Sequence, residues 1–171
     1  MMAKAGEKTV KEYLEIKGLQ VVKIPESDIK TADFAVYSRS ELIFYLEEKT
    51  IELTALGWKN VDPIYNSIAR HIDEAMKQFK SINPKRDVPN VLAFTNQDPA
   101  RSINDLFITL TGYVITMGGK MRRIHGMKKL ENESFLIALY LWFDNDQLTG
   151  HIWEENNLEH EAKLAAILGL E

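Results

Sequence analysis

Over residues 63–82 the apolar side chains Ile64, Ile68, Ile72, Ala75, Met76 and Phe79 recur at steps of three and four, the pattern of an amphipathic helix of roughly five turns. A helix with one apolar face must lie against a second apolar surface, and short runs on either side of it supply one. Residues 19–24, 33–37 and 42–50 precede the helix and residues 91–95 follow it, each short and rich in β-branched or aromatic residues, so they are expected to be strands. Ahead of them, residues 7–17 set Val10, Leu14 and Lys17 on one side with Tyr13 beside them, and Gly18 stops that helix. The expected order is therefore helix, three strands, helix, strand.

Further along, the pattern predicts a helix over 99–110, a short strand over 113–117 and a turn at Gly118-Gly119. A second hairpin follows, with strands over 135–143 and 148–153 around Asp144-Asn145-Asp146. The last helix covers 156–168, with Leu158, Ala162, Ala165 and Leu168 inward. The fold class is α/β with a mixed sheet. With 171 residues, 45% of them hydrophobic, and no repeat or Pro/Gly/Ser-rich linker, the chain reads as one domain over 1–171.

The absence of cysteine excludes disulfide frameworks, thiolate zinc sites and thiol nucleophiles. The N-terminus lacks the apolar stretch of a signal peptide, and no apolar run approaches the roughly 20 residues of a membrane span, so a cytoplasmic protein is expected. Charge is ordinary: 21 basic against 25 acidic residues give a net −4. That excludes a histone-like polycation, although a local basic face could still meet nucleic acid. No Gly-rich phosphate loop, dinucleotide fingerprint or Gly-x-Ser-x-Gly elbow is present.

The chemistry is concentrated in Asp33 and Glu47-Glu48-Lys49. Alternation along a strand puts Glu47 and Lys49 on one face and Glu48 on the other. With Asp33 at the start of the neighbouring antiparallel strand, two carboxylates lie side by side, and they repel unless a cation sits between them. Magnesium, a hard ion that takes oxygen ligands and keeps waters for a phosphate substrate, suits such a pair. Lys49 would then reach a water or phosphate at the ion.

These residues, in this order of elements, resemble the PD-(D/E)XK nuclease superfamily, with spacing most like archaeal Holliday-junction resolvases over residues 6–95. The resembling text is Gly6-Glu7, the helix end Tyr13-Leu14-Glu15-Ile16-Lys17-Gly18, the strand Val21-Val22-Lys23, then Thr31-Ala32-Asp33-Phe34-Ala35 and Leu46-Glu47-Glu48-Lys49-Thr50. Ala32 stands where the proline that names the family is found. The resemblance implies a restriction-endonuclease-like αβββαβ core, extended over 98–171 by a β-hairpin and a helix. It implies that Asp33, Glu47 and the backbone carbonyl of Glu48 are ligands of Mg2+ (or Mn2+), that Lys49 is catalytic, and that Glu7 adds an acid to the site. It also implies a polar residue from the following helix, with Gln78 the best match and Arg70, His71 and Lys77 as rivals.

A solvated surface ion pair is the competing account of Asp33, Glu47 and Lys49, and a helix-surface position that of Gln78. Lys120, Arg122, Arg123, His125, Lys128 and Lys129 form a basic stretch without an acid between them, a second candidate contact for a phosphate backbone. His151, Glu154, Glu155 and His160 do not have the spacing of a zinc site. Taken together, the expected activity is a metal-dependent nuclease acting on DNA, with RNA not excluded. The rival is a catalytically inactive module of the same fold that binds nucleic acid or a protein. Cleavage of two strands would favour a homodimer.

Overall fold

A computed structural model describes residues 2–53, 63–124, 130, 136–154 and 157–171 of the chain. Its elements run α1 (Met2–Ile16), β1 (Gln20–Lys23), β2 (Phe34–Ser38), β3 (Glu41–Ile51), α2 (Pro63–Ile82), β4 (Asn90–Asn96), α3 (Ile103–Thr111), β5 (Tyr113–Ile115), β6 (Met121–Arg123), β7 (Leu139–Asp144), β8 (Gln147–Trp153) and α4 (Leu158–Leu168). Six strands form one mixed sheet in the order β1-β2-β3-β4-β7-β8. The three centre strands, β3, β4 and β7, are parallel, and antiparallel hairpins flank them on both sides.

Helices cover both faces. On one side Val10 and Leu14 of α1 and Leu164 and Leu168 of α4 meet Phe34, Phe44, Leu46, Val91 and Leu139. On the other, Ile68, Ile72, Met76 and Phe79 of α2 and Leu106 of α3 meet Leu92, Phe94, Tyr140 and Trp142. Each fully buried Ile or Phe in these layers stabilises the fold by roughly 1.5–3 kcal/mol, which is why the spacing seen in the sequence dictates which side of α2 faces inward. The two hairpin turns use left-handed backbone. Asn145 and Asp146 both have positive φ, 49° and 63°, as a two-residue turn matched to strand twist requires.

Some boundaries move for identifiable reasons. The first helix begins five residues before Glu7 and ends at Ile16, so Lys17 is exposed rather than inward; Gly18, at φ 79°, turns the chain back toward β1. The third helix starts at Ile103 instead of 99 because residues 98–101 close a turn, with Arg101 N–H donating to the Asp98 carbonyl at 2.9 Å and Ala100 N–H to its carboxylate at 3.0 Å. The strand expected over 135–143 begins at Leu139; Phe135 lies outside the described residues. The basic stretch contributes β6, which pairs with β5 in a separate two-stranded ribbon. His125, Lys128 and Lys129 lie outside the described residues. Among the described residues no helix is long and apolar enough to cross a membrane.

Candidate active site

The pairing of β2 with β3 sets Phe34 opposite Leu46, so Asp33, just before β2, meets Glu47. Phe44 and Leu46 fill the core under α1 while Ile51 joins the core under α2, and the strand's alternation turns Glu47 and Lys49 to the α2 side. The Asp33 backbone N–H donates to Glu47 Oε2 at 3.0 Å, and Asp33 Oδ2 accepts the Glu48 N–H at 2.9 Å. This reciprocal lock fixes both carboxylates to main chain as well as to each other's strand. Lys49 Nζ lies 2.9 Å from Glu47 Oε1 and donates to Gln78 Oε1 at 3.2 Å. Gln78 is anchored in turn by its Nε2 donating to the Thr31 carbonyl at 3.1 Å. The solvated surface pair is therefore not what forms: the Glu47 side chain is 3% exposed and that of Lys49 15%.

Asp33, Glu47 and Lys49 open into a cleft of about 610 Å3 that also takes in Glu7, Glu48, Glu52 and Glu74 together with Arg70, His71 and Arg101. Six acids thus face three permanent cations. Burial, and then the nearby Asp33 charge, push the Glu47 carboxyl up to about 7 even with Lys49 alongside. Burial pushes Glu48 up to about 7 as well, against the hydroxyls of Thr95 and Thr50, which donate to its Oε1. Burial, with the charges of Lys49 and Arg70, lowers His71, so its ring is neutral at neutral pH. Its buried Nδ1 has no hydrogen-bond partner among the described residues, the Glu74 carboxylate standing 3.9 Å away.

Two parts of this arrangement had no local signal in the sequence. Lys23, at the end of β1, places Nζ 2.8 Å from both Glu7 Oε2 and Asp33 Oδ1. Burial alone would lower this ammonium, but its bonds to Asp33 and Glu7 hold it above its ordinary value. The second is the Glu48 side chain. Expected to contribute only a carbonyl, it turns to the α1 side as alternation requires and still lines the cleft, feeling the charges of Asp33 and Glu7. Among the described residues no three carboxylate or imidazole groups are gathered into a ready-made ion site; Lys23 and Lys49 engage the acids instead.

Of the helix candidates, Gln78 touches Lys49, Arg70 and His71 line the cleft, and Lys77 is exposed without lining it. Lys120, Arg122 and Arg123 are exposed on the ribbon and take no part in the cleft.

The raised carboxyls carry a pH dependence. Glu47 and Glu48 keep protons in the folded chain that the unfolded chain releases above its ordinary 4.5. Without metal, their contribution to stability is therefore greatest below about pH 4.5 and is lost as pH rises toward 7, on the order of 3 kcal/mol for Glu48. Glu48→Gln, which keeps an acceptor for the two threonines, is expected to flatten this decline in urea melts run in EDTA between pH 5 and 8. Parallel curves for wild type and variant would remove Glu48 as its source.

Comparison with known proteins returns no match: no family model, no curated protein and no solved structure is similar to this chain.

Proposed function

We propose that the chain is a divalent-metal-dependent nuclease that hydrolyses phosphodiester bonds in DNA. The observation that carries this reading is the convergence of Asp33, Glu47 and Lys49 in one cleft, each held by a defined partner. The donor set suits a hard cation. Six acids line a cleft with a lysine and two arginines, and burial keeps two of them reluctant to ionise until positive charge, such as a hard cation, is set beside them. Asp33, Glu47 and the Glu48 carbonyl would hold Mg2+ or Mn2+, which when bound polarises a phosphate oxygen and makes a water nucleophilic near neutral pH.

The remaining work belongs to the protein. Gln78 and Glu47 hold the Lys49 ammonium in place, where it can meet charge developing on a phosphate without reorganising. Arg70 and Arg101 on the cleft wall offer the substrate backbone two further cations. Lys23 must yield Asp33 when an ion binds, and can keep Glu7. The same lysine favours the second reading, a non-catalytic DNA-binding module, because it already neutralises the acids that an ion would otherwise neutralise.

Incubation with plasmid DNA separates the two. Magnesium or manganese is expected to produce cleavage that EDTA abolishes and that Lys49→Met lowers by about 10²–10³-fold. DNA bound but left intact by wild type in every divalent ion would leave the module, and products identical for wild type and Lys49→Met would end the catalytic reading.

A further inference from the structure

The β5–β6 ribbon carries an unusual combination of side chains. Its pairing is regular, Tyr113 opposite Arg123, Val114 opposite Arg122 and Ile115 opposite Met121. The tip is closed by Thr116 N–H to the Lys120 carbonyl at 2.9 Å and Gly119 N–H to the Thr116 carbonyl at 2.8 Å, with Gly119 at φ 74°. At the base Ile124 N–H donates to the Gly112 carbonyl at 2.9 Å. This is a defined two-stranded arm, separate from the main sheet.

Cross-strand pairing places Tyr113, Ile115, Met121 and Arg123 on one face. Ile115 is 57% exposed, Met121 60%, and Met117 at the tip fully exposed. Four of the nine large hydrophobic side chains exposed among the described residues fall within residues 113–121, so they form a patch rather than scatter. The same arm carries Lys120, Arg122 and Arg123 and no acid, in a chain whose net charge is −4. None of the three is ion-paired among the described residues, and all are exposed.

We propose that the β5–β6 ribbon is a duplex-DNA-binding arm, its cations seated on phosphates and its apolar tip set against the bases of the minor groove. Charge chooses the occupant. Cations unpaired among the described residues, on an arm without acids, complement a polyanion, and a phosphate backbone is the polyanion that a nuclease meets. Apolar side chains such as Met and Ile are the kind that wedge into base steps, and they would stand idle on a purely electrostatic contact. The position fits too. Arg101 belongs to the cleft wall, and only the nine residues of α3, about 13.5 Å at 1.5 Å per residue, separate its turn from the ribbon. That span is shorter than one helical turn of duplex, about 34 Å. The proposal rests on the nuclease reading for its substrate, but its test is one of binding.

Wild type, Lys120→Gln/Arg122→Gln/Arg123→Gln and Ile115→Ser/Met117→Ser/Met121→Ser would be titrated in EDTA against a duplex of about three helical turns. The duplex would carry 2-aminopurine to report unstacking. The basic triple is expected to bind about 10–100-fold more weakly, with the slope of log affinity against log salt reduced by about 2–3. The apolar triple is expected to lose the 2-aminopurine signal while keeping that slope. Variants that bind as wild type does, or a wild type that binds no duplex, overturn the arm. A dimer that the apolar triple dissociates while duplex binding persists gives the ribbon to a second copy instead. Cleavage with magnesium is read separately on the plasmid DNA used above. Arm-dependent binding without any cleavage sinks the nuclease reading alone, and cleavage with arm-independent binding sinks the arm alone.

Discussion

Asp33→Asn is expected to reduce metal-dependent DNA cleavage by at least about 10³-fold, a larger loss than any other single change in the cleft. Four bonds meet at this residue, one of them from the Ile24 N–H to its carbonyl at 2.9 Å. Its N–H donates to Glu47, its Oδ2 accepts the Glu48 N–H, and its Oδ1 takes the Lys23 ammonium at 2.8 Å. Asparagine keeps the shape but replaces one oxygen by NH2, so a donor must face either the Glu48 amide or the ammonium, and one bond is lost in either orientation. The stability cost is about 1–3 kcal/mol, small enough for the chain to stay folded. Removing the Asp33 charge also removes one cause of the raised Glu47 carboxyl, which is expected to titrate lower, as read by carboxyl 13C shifts across pH 4–8. Cleavage at the wild-type rate by a folded Asp33→Asn protein would refute the assigned role. An unmoved Glu47 titration would show that burial alone raises it.

The second large effect is on folding. Gly6, buried in α1, faces the Glu48 carboxylate: a Cβ built there would overlap Glu48 Oε1 and Thr95 Oγ1 and lie 2.6 Å from Glu48 Cδ. Elsewhere in a helix alanine is better than glycine by roughly 1 kcal/mol, so this glycine is present for the space it leaves. Gly6→Val is expected to destabilise by about 3–5 kcal/mol, combining overpacking with the broken Thr95–Glu48 hydrogen bond, and to lower Tm by about 10 °C. The diagnosis comes from coupling. Glu48→Ala removes the carboxylate and frees the Thr95 hydroxyl, which it no longer holds, to turn aside, so Gly6→Ala is expected to be clearly less harmful in Glu48→Ala than in wild type. Additive effects of the two changes would mean that α1 is held by something other than this contact.

Gly6 also illustrates how far the sequence could be read. Its place beside Glu7 was visible as text, but the need for a glycine comes from Glu48 and Thr95, which are 42 and 89 residues away and arrive there on β3 and β4. Element types were legible because they follow local periodicity: α2 over residues 63–82, the Asp144-Asn145-Asp146 turn and the order of the first six elements are as expected. So was the shared face of Glu47 and Lys49, which alternation alone guarantees. Helix ends were less so, since Asp98 and the turn it closes decide where α3 begins.

The resemblance already favoured Gln78 over its rivals, but which of them meets Lys49 needed the tertiary structure. Arg70, His71, Lys77 and Gln78 all lie on α2, and only the docking of α2 across β3 brings Gln78 to Lys49. The ribbon is a similar case: a strand over 113–117 and a turn at Gly118-Gly119 were expected, but the strand ends at Ile115 and its pairing with Met121–Arg123 was not foreseen.

By itself, then, the sequence determined the alternating α/β order, the mixed character of the sheet and the acid–base face of β3, because each depends on side chains a few residues apart. The tertiary structure alone decided that Lys23 would bridge Glu7 and Asp33, that the Glu48 carboxyl would be buried beneath Gly6, and that a basic run would stand out as an apolar-tipped arm. Those outcomes depend on which strands pair and which faces are covered, and pairing free energies come from groups far apart in the chain.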